Sequence, residues 1–431
     1  MQETKPHRIL RVAYIAMRFP LASETFATND VRALTDLGQK VTVLPLRSVD
    51  QTAAQKLLSE RGIPADQVIP TASLVISGWR ELLHNPIAWL AMIIWLLKLN
   101  IRDPRAMVQT VWLYPASVGA AVHCREHGVD VAHLRWGHHP AIVGLILKRW
   151  KVPVQVSLSL SAYDLEIDLP VTEALVPRAD AIRTQAEINV RAIAERYDIP
   201  VKQVQVIYNG VPDSVFSPKA QEVGTDRVAL SADRDPHLVV TAARLIPSKR
   251  VSNAIRAFAA VRRQSGTGKL VILGDGPERA QLGELAEQLN VASFVEFRGM
   301  VPYDEVIGTM RQAGIMLMLS AKTSERLPNV VKEAMAVGCA VITTDSPGIE
   351  ELIPGPEFGI IVATDDVSGA VDALSRLMAA PTVVREMGAA ARRHMEENFR
   401  VSVCARMYLD MWASTYERDD SVDGVIRSEN G

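Results

Sequence analysis

Two glutamates, Glu325 and Glu333, stand eight residues apart on either side of a proline in the stretch ERLPNVVKEAMAVG. On one helix, carboxylates so spaced would lie roughly 12 Å apart, since each residue rises about 1.5 Å. That is too far for a glycoside-cleaving carboxylate pair, which needs roughly 5–9.5 Å. The spacing therefore puts Glu325 on a loop and Glu333 one to two turns into a helix. That helix begins at Pro328, where a missing N–H costs nothing. Such a pair can grip two parts of an elongated, hydroxyl-rich ligand, and the amides near Asn329 and Val330 make the helix start an anion site. The same two residues also read as a solvated glutamate and an ordinary surface helix. Gly274 and Gly276, in GDGPERAQL, permit a tight turn close to a ligand. His133, His138 and His139 cluster around HLRWGHHPA, but no acidic or cysteine partner shares a metal-ligand spacing with them. Asp233 and Asp235 form a D-x-D, a two-residue match that chance supplies easily, inside a patternless polar stretch.

The elements that must hold these groups are legible as alternating runs. Residues 315–319 read as a buried strand leading to Glu325, and Val330, Val331, Ala334 and Met335 recur at helical spacing. Gly338 is placed to end that helix, and 339–343 read as the next strand. The unit is strand, loop, helix, strand, and open parallel sheets bind ligands at the carboxyl ends of their strands. In the first half, 8–16, 41–46, 129–134 and 152–160 read as strands, with a helix from Ser23 or Glu24 to Gly38, and Asn209-Gly210 is a turn signal. In the second half, 237–243, 269–273 and 294–301 read as strands. The chain is α/β. Its opening strand–helix–strand lacks G-x-G-x-x-G, which argues against a dinucleotide-dependent enzyme such as a dehydrogenase or sugar epimerase. Residues 383–416 read as amphipathic helix, and the charged tail beyond Arg418 is expected to be disordered.

At 431 residues the chain calls for two domains of about 200 residues. With 48% hydrophobic and 22% charged residues it can bury ample core, and a net charge of −2 offers nothing to nucleic acid. Cys124, Cys339 and Cys404 are far apart, which suggests neither disulfide framework nor metal knuckle and fits a reducing cytosol. The polar N-terminus has no apolar segment of signal-peptide type. Residues 79–112 hold four of the seven tryptophans, around PIAWLAMIIWLLKLN. An apolar run of about a dozen residues is short of the roughly 20 needed to span a bilayer. It reads either as a buried helix or as a membrane-surface helix flanked by Lys98, Arg102 and Arg105.

The segment around Glu325 resembles the E-x7-E region of retaining GT-B glycosyltransferases of family 4, which read E-G-x-P-x4-E-A-M-A-x-G. The present chain has Arg326 at the usual glycine. FP-x-x-SETF near the N-terminus, the NGV turn at 209–211 and G-D-G-P at 274–277 agree in position, and the likeness extends to polysaccharide-building members. The resemblance implies a GT-B fold: two Rossmann-like domains with a cleft between them. They would span 1–216 and 237–395, with a linker at 217–236, a returning helix at 396–418 and a tail at 419–431. It implies a sugar moved with retention, without metal or cofactor, from a nucleotide-diphosphate sugar to a hydroxyl of a glycan or lipid-linked acceptor. Arg244 and Lys249 resemble the family's R-x4-K pair, here flanked by Ala243 and Arg250 where glycines are usual. They would stabilise the departing diphosphate, because arginine binds phosphate in bidentate fashion and lysine adds a mobile charge. Glu325 would hold a sugar hydroxyl, and Ser161 occupies the place of a histidine beside the donor sugar. Glu333 would hold the ribose, with Asn329, Gly274, Gly276, Val301, Leu327, Pro328 and Gly348 around the donor. His133, His138, His139 and Asp164 would lie on the acceptor side. The alternative is an inactive nucleotide-sugar-binding subunit of a membrane-associated assembly. Localisation is expected to be cytoplasmic, with possible peripheral contact at the inner membrane face through 79–112.

Overall fold

The computed structural model describes residues 8–21, 24–101, 103–167, 169–217, 234–321 and 325–428, with side chains described to 414. The chain divides into two compact units, 1–210 with 401–431, and 211–400. Each is built on a six-stranded parallel sheet.

In the first unit the strands are β1 (Arg11–Ala16), β2 (Lys40–Pro45), β3 (Val131–Arg135), β4 (Gln155–Leu160), β5 (Ala181–Thr184) and β6 (Val204–Val206). Their order is β2-β1-β3-β4-β5-β6, every pairing parallel. The helices are α1 (Thr25–Asp36), α2 (Gln51–Glu60), α3 (Thr71–His84), α4 (Pro86–Leu99), α5 (Pro104–Glu126), α6 (Ala141–Arg149), α7 (Ala162–Glu166), α8 (Pro170–Leu175) and α9 (Ile188–Tyr197). Strands of a parallel sheet are covered on both faces: β3 and β4 are buried throughout and β1 after its first residue, although β4 alternates serine with apolar residues and β3 carries His133 and Arg135.

The second unit orders its strands β12-β11-β10-β7-β8-β9. They are β7 (Asp235–Ala242), β8 (Lys269–Leu273), β9 (Val295–Gly299), β10 (Ala313–Met318), β11 (Ala340–Thr344) and β12 (Ile360–Val362). Helices α10 (Asp213–Phe216), α11 (Val251–Ser265), α12 (Arg279–Gln288), α13 (Tyr303–Gln312), α14 (Asn329–Ala336), α15 (Val367–Ala379) and α16 (Pro381–Asn398) belong with them. In each sheet the winding reverses once, between β1 and β3 and between β7 and β10, and ligands collect at such reversals.

The single helix expected over 383–416 is two, because the chain breaks at Phe399 and Arg400. The Phe399 carbonyl accepts from the Val211 amide at 2.7 Å, and Val211 pairs with Arg400 as an isolated bridge. Helix α17 (Val401–Ser428) then belongs to the first unit, where Tyr408 and Trp412 pack with Tyr14, Val31 and Val131. Helix α17 runs on to Ser428, into the tail expected to be disordered from 419. The stretch carries one glycine and no proline, so nothing interrupts the backbone ladder. Most of the linker placed at 217–236, with Asp233 of the D-x-D, lies outside the described residues, and its last two positions already belong to β7.

Candidate functional site

The reversal in the second sheet decides which loops meet. The chain leaving β7 carries Arg244 to Lys249, the chain leaving β10 carries Ser320 to Glu325, and β7 and β10 are paired neighbours. Two segments about 75 residues apart in sequence therefore share one sheet edge. Next to β7 lies β8, whose exit is Gly274-Asp275-Gly276. Gly274 has φ +127°, and a β-carbon there would sit 2.0 Å from the Ala243 carbonyl oxygen. A β-carbon on Gly276 would sit 2.4 Å from the Leu245 carbonyl oxygen. Only glycine allows the two backbones to touch here. The Leu245 amide donates to the Asp275 carbonyl at 3.0 Å, which laces the loops together. An open hollow of about 630 Å³ forms over them, lined by Arg244, Gly274, Asp275, Gly276 and Met300. Arg244 is exposed at its edge, with no acidic partner among the described residues.

Lys249 and Glu325, expected to serve different parts of a ligand, form an ion pair. The Lys249 ammonium donates to both carboxylate oxygens, at 2.6 and 2.5 Å, with side chains 13% and 21% exposed. The Ser320 hydroxyl also donates to Glu325, at 3.0 Å, and the Ala321 amide donates to the Ser248 carbonyl at 2.8 Å. Ammonium and carboxylate are thus presented as one preorganised unit. Arg250, which stands where the family carries glycine, takes the left-handed conformation that glycine favours, at φ +47°. Its guanidinium is held by Asp365 at 2.8 and 3.2 Å and donates to the Pro247 carbonyl, contacts that offset the backbone cost.

Pro328 caps α14, and the amides of Val331 and Lys332 donate to its carbonyl, which fixes the first turn carrying Asn329. Leu327 is buried beside it. One turn on, the half-buried Glu333 accepts a hydrogen bond from Tyr303. Burial raises its carboxyl from 4.5 to about 7, against the opposing pull of Lys332 and of that bond. A carboxylate poised near neutrality by burial marks a binding-site candidate. Gly348 has φ +89° and starts the short turn of 349–351, while Val301 follows β9.

The first unit corrects several expectations. Ser161, placed at the catalytic centre, is 2% exposed and serves as the N-cap of α7. Its amide and hydroxyl both donate to Asp164 at 2.8 Å, and the Gly137 amide donates to the other Asp164 oxygen at 2.8 Å. A buried carboxylate needs such donors, so the Ser161 and Asp164 side chains are engaged with each other in holding a loop together. His133 is likewise enclosed, its Nδ1 3.0 Å from the Ser157 hydroxyl and its ring against Tyr14, Tyr408 and Trp412. Its position on β3 turns it toward α17. His138 and His139 stand on the loop after β3, at the reversal of the first sheet, and burial lowers each to about 4. Both rings are therefore neutral at pH 7 and can donate or accept hydrogen bonds with a sugar. A hollow of about 410 Å³ opens nearby, beyond β1 and β2, with Arg18, Ser48 and Asp50 in its lining.

Three residues not singled out in the sequence form the polar heart of this unit. Asp30 of α1 lies 3.7 Å from Arg135 and 3.9 Å from Arg183, all at most 2% exposed. Asn209 accepts from both arginines at 3.3 and 3.1 Å, so the NGV turn is anchored by charge. The one available signal was arginine inside otherwise apolar strands, since a buried charge demands a partner. Among the described residues no three His, Cys, Asp or Glu side chains are grouped to hold a metal, and Asp235 accepts from the His237 amide at 2.8 Å.

Residues 223–394 match the family model described as glycosyl transferases group 1. The chain is similar to the putative colanic acid biosynthesis glycosyltransferase WcaL of Escherichia coli K12, with 26% identity covering 92% of this chain and 98% of that one. It is 30% identical to the GDP-mannose-dependent alpha-(1-6)-phosphatidylinositol monomannoside mannosyltransferase of Mycobacterium tuberculosis H37Rv, over 66% of this chain and 76% of that one. Among solved structures, Anabaena Alr3699/HepE in complex with UDP superposes with a TM-score of 0.68. It covers 94% of this chain and 100% of its own at 16% identity, a likeness of fold.

Proposed function

The chain belongs to the group 1 glycosyltransferases and has the GT-B fold, and from that premise we propose that it transfers a sugar from a nucleoside-diphosphate sugar to a hydroxyl of a glycan or lipid-linked acceptor, with retention and without a metal ion. The observation that carries this reading is the meeting of Arg244, the Lys249–Glu325 pair and the glycine-lined hollow at one sheet edge. When the bond from the sugar C1 to the diphosphate breaks, negative charge grows on the leaving oxygen. Lys249, held by Glu325, is a preorganised cation for that charge and Arg244 an exposed one at the hollow's edge; fixed donors aimed at developing charge are worth more than donors that must reorganise. They supply the positive charge that a divalent ion supplies elsewhere. The acceptor oxygen takes C1, and its proton leaves with the diphosphate. Glu325, both of whose oxygens already accept from Lys249, orients the sugar through its remaining lone pairs, and Glu333 takes the ribose hydroxyls. His138 and His139 face the acceptor as neutral rings.

The donor class is supported by two relatives' descriptions, one GDP-mannose-dependent and one crystallised with UDP. The WcaL likeness supports a role in cell-surface polysaccharide synthesis. We place the reaction in the cytoplasm, where the three free, buried cysteines stay reduced. The test is to incubate the purified chain with UDP-, GDP- and ADP-sugars, follow release of nucleoside diphosphate, and read the product anomer by NMR. Turnover of one donor with an unchanged anomer is the expected result. No transfer or hydrolysis with any donor would replace the enzyme by a binding subunit, and an inverted anomer would remove retention.

A further inference from the structure

Helix α4 is apolar on every side. Its inner stripe, Trp89, Met92 and Leu96, is at most 4% exposed and packs into the core, where the Trp89 indole donates to the Glu81 carbonyl at 3.1 Å. Its outer stripe is Ile87, Leu90 and Ile94, at 82%, 60% and 44% exposure. A helix apolar all round is normally covered all round, and here the described residues cover one side. The flanking helices continue the uncovered surface. Trp79 and Leu83 stand exposed on α3, and Val108 and Trp112 on α5. Ten of the seventeen exposed large hydrophobic side chains among the described residues fall between 76 and 112, a concentration rather than ordinary scatter.

The charges beside this surface decide what fits it. Arg80, Lys98 and Arg105 are exposed, with no acidic partner among the described residues. Arg47 and Arg149 lie over the Trp112 and Trp95 rings at 4.4 and 5.6 Å. The two acids between 71 and 112 are engaged already. Glu81 pairs with Arg125 at 3.0 Å, and Asp103 caps α5. Tryptophan and cationic side chains bordering an apolar stripe match the boundary between acyl chains and anionic headgroups. A second copy docked face to face through a twofold axis would instead set these cations against their own counterparts. Neither α3 nor α4 can cross a bilayer. Each has 14 residues and so spans about 21 Å, short of the roughly 30 Å hydrocarbon core, and the pair is bent by 115°.

We propose that the outer face of α3, α4 and the start of α5 docks in the plane of an anionic lipid surface, with Ile87 and Leu90 at its deepest point. Trp89 and Trp95 of the same helix take no part in this face, being buried and half-buried core residues.

The experiment is flotation of the full chain with phosphatidylcholine vesicles, with and without phosphatidylglycerol. The wild type should float only with the anionic vesicles. The combined variant Leu83→Ser, Ile87→Ser, Leu90→Ser should partition about a hundredfold more weakly, with the circular dichroism of the wild type, because all three side chains are exposed. Lys98→Glu with Arg105→Glu is the second variant, leaves the apolar stripe intact, and should also lose anionic binding. Failure of the wild type to float with either vesicle overturns the proposal, as does equal flotation of wild type and both variants. A concentration-dependent dimer in light scattering that the triple serine variant dissolves would assign the face to a second copy and overturn it too.

Discussion

Replacing Glu333 by glutamine should stabilise the free protein and weaken its hold on nucleotide. Burial lifts the Glu333 carboxyl from 4.5 to about 7, so the folded chain binds that proton more tightly than the unfolded chain does. The neutral carboxyl therefore contributes its full stability below pH 4.5, and that contribution is lost as pH rises through 7. Each tenfold of proton affinity is worth about 1.4 kcal/mol, which makes the ionised form about 3 kcal/mol costlier inside the fold. Water reaching the half-buried carboxylate trims this to about 2–3 kcal/mol. Glutamine keeps the shape and the bond from Tyr303 without the charge. Glu333→Gln should thus exceed wild type in urea stability by about 2–3 kcal/mol at pH 8, and by about 1 kcal/mol or less at pH 5. Calorimetry should show the opposite sign for nucleotide. Loss of a charge-assisted bond of about 1.5–3 kcal/mol weakens binding about 10- to 100-fold, and wild-type affinity should rise between pH 6 and 8 as Glu333 ionises. An identical stability difference at both pH values would refute the burial argument. Unchanged nucleotide affinity would refute the ribose assignment.

Lys249→Ala should abolish most turnover and leave Glu325 without its ion pair. Turnover rates with Glu325→Gln beside it separate the two effects, and a variant that retains wild-type kcat would remove Lys249 from catalysis. Transfer should continue in excess chelator; loss restored by Mn²⁺ would return a metal to the mechanism. Gly276→Ala forces a β-carbon to within 2.4 Å of the Leu245 carbonyl oxygen, so the loops must part and donor affinity should fall at least about tenfold by calorimetry. Trp89→Ala should destabilise the first unit by about 3–5 kcal/mol in urea melts, the cost of deleting a buried aromatic. Ser161→Ala should cost about 1 kcal/mol as a lost helix cap, with kcat unchanged.

Local signals are enough where one residue's own chemistry sets the outcome. Proline at a helix start, glycine at a left-handed end and an apolar run at 315–319 placed α14, Gly338 and β10 without reference to distant contacts. The motif spacing also put Glu325 on a loop and Glu333 on a helix, because rise per residue is fixed by backbone geometry. What the sequence could not determine was which side chains point at one another across the sheets. Ser161 looked like a shortened catalytic residue, but Asp164 claims both its donors. His133 looked like a ligand-facing histidine, yet its place on the same face of a doubly covered strand as Val131 turned it to α17. The segment 79–112 read as either a buried or a membrane-surface helix, because on a helix apolar all round no periodicity distinguishes inner from outer. The Lys249–Glu325 pair, the Asp30–Arg135–Arg183 cluster and the break at Phe399 belong to the same class. Composition and spacing determined the α/β alternation and the two-domain size, since these follow from local rules summed along the chain, and the motif resemblance carried the expected fold and chemistry. Partners were decided by strand order, because only the reversal of the sheet brings β7 beside β10 and so sets an ammonium against a carboxylate 76 residues away.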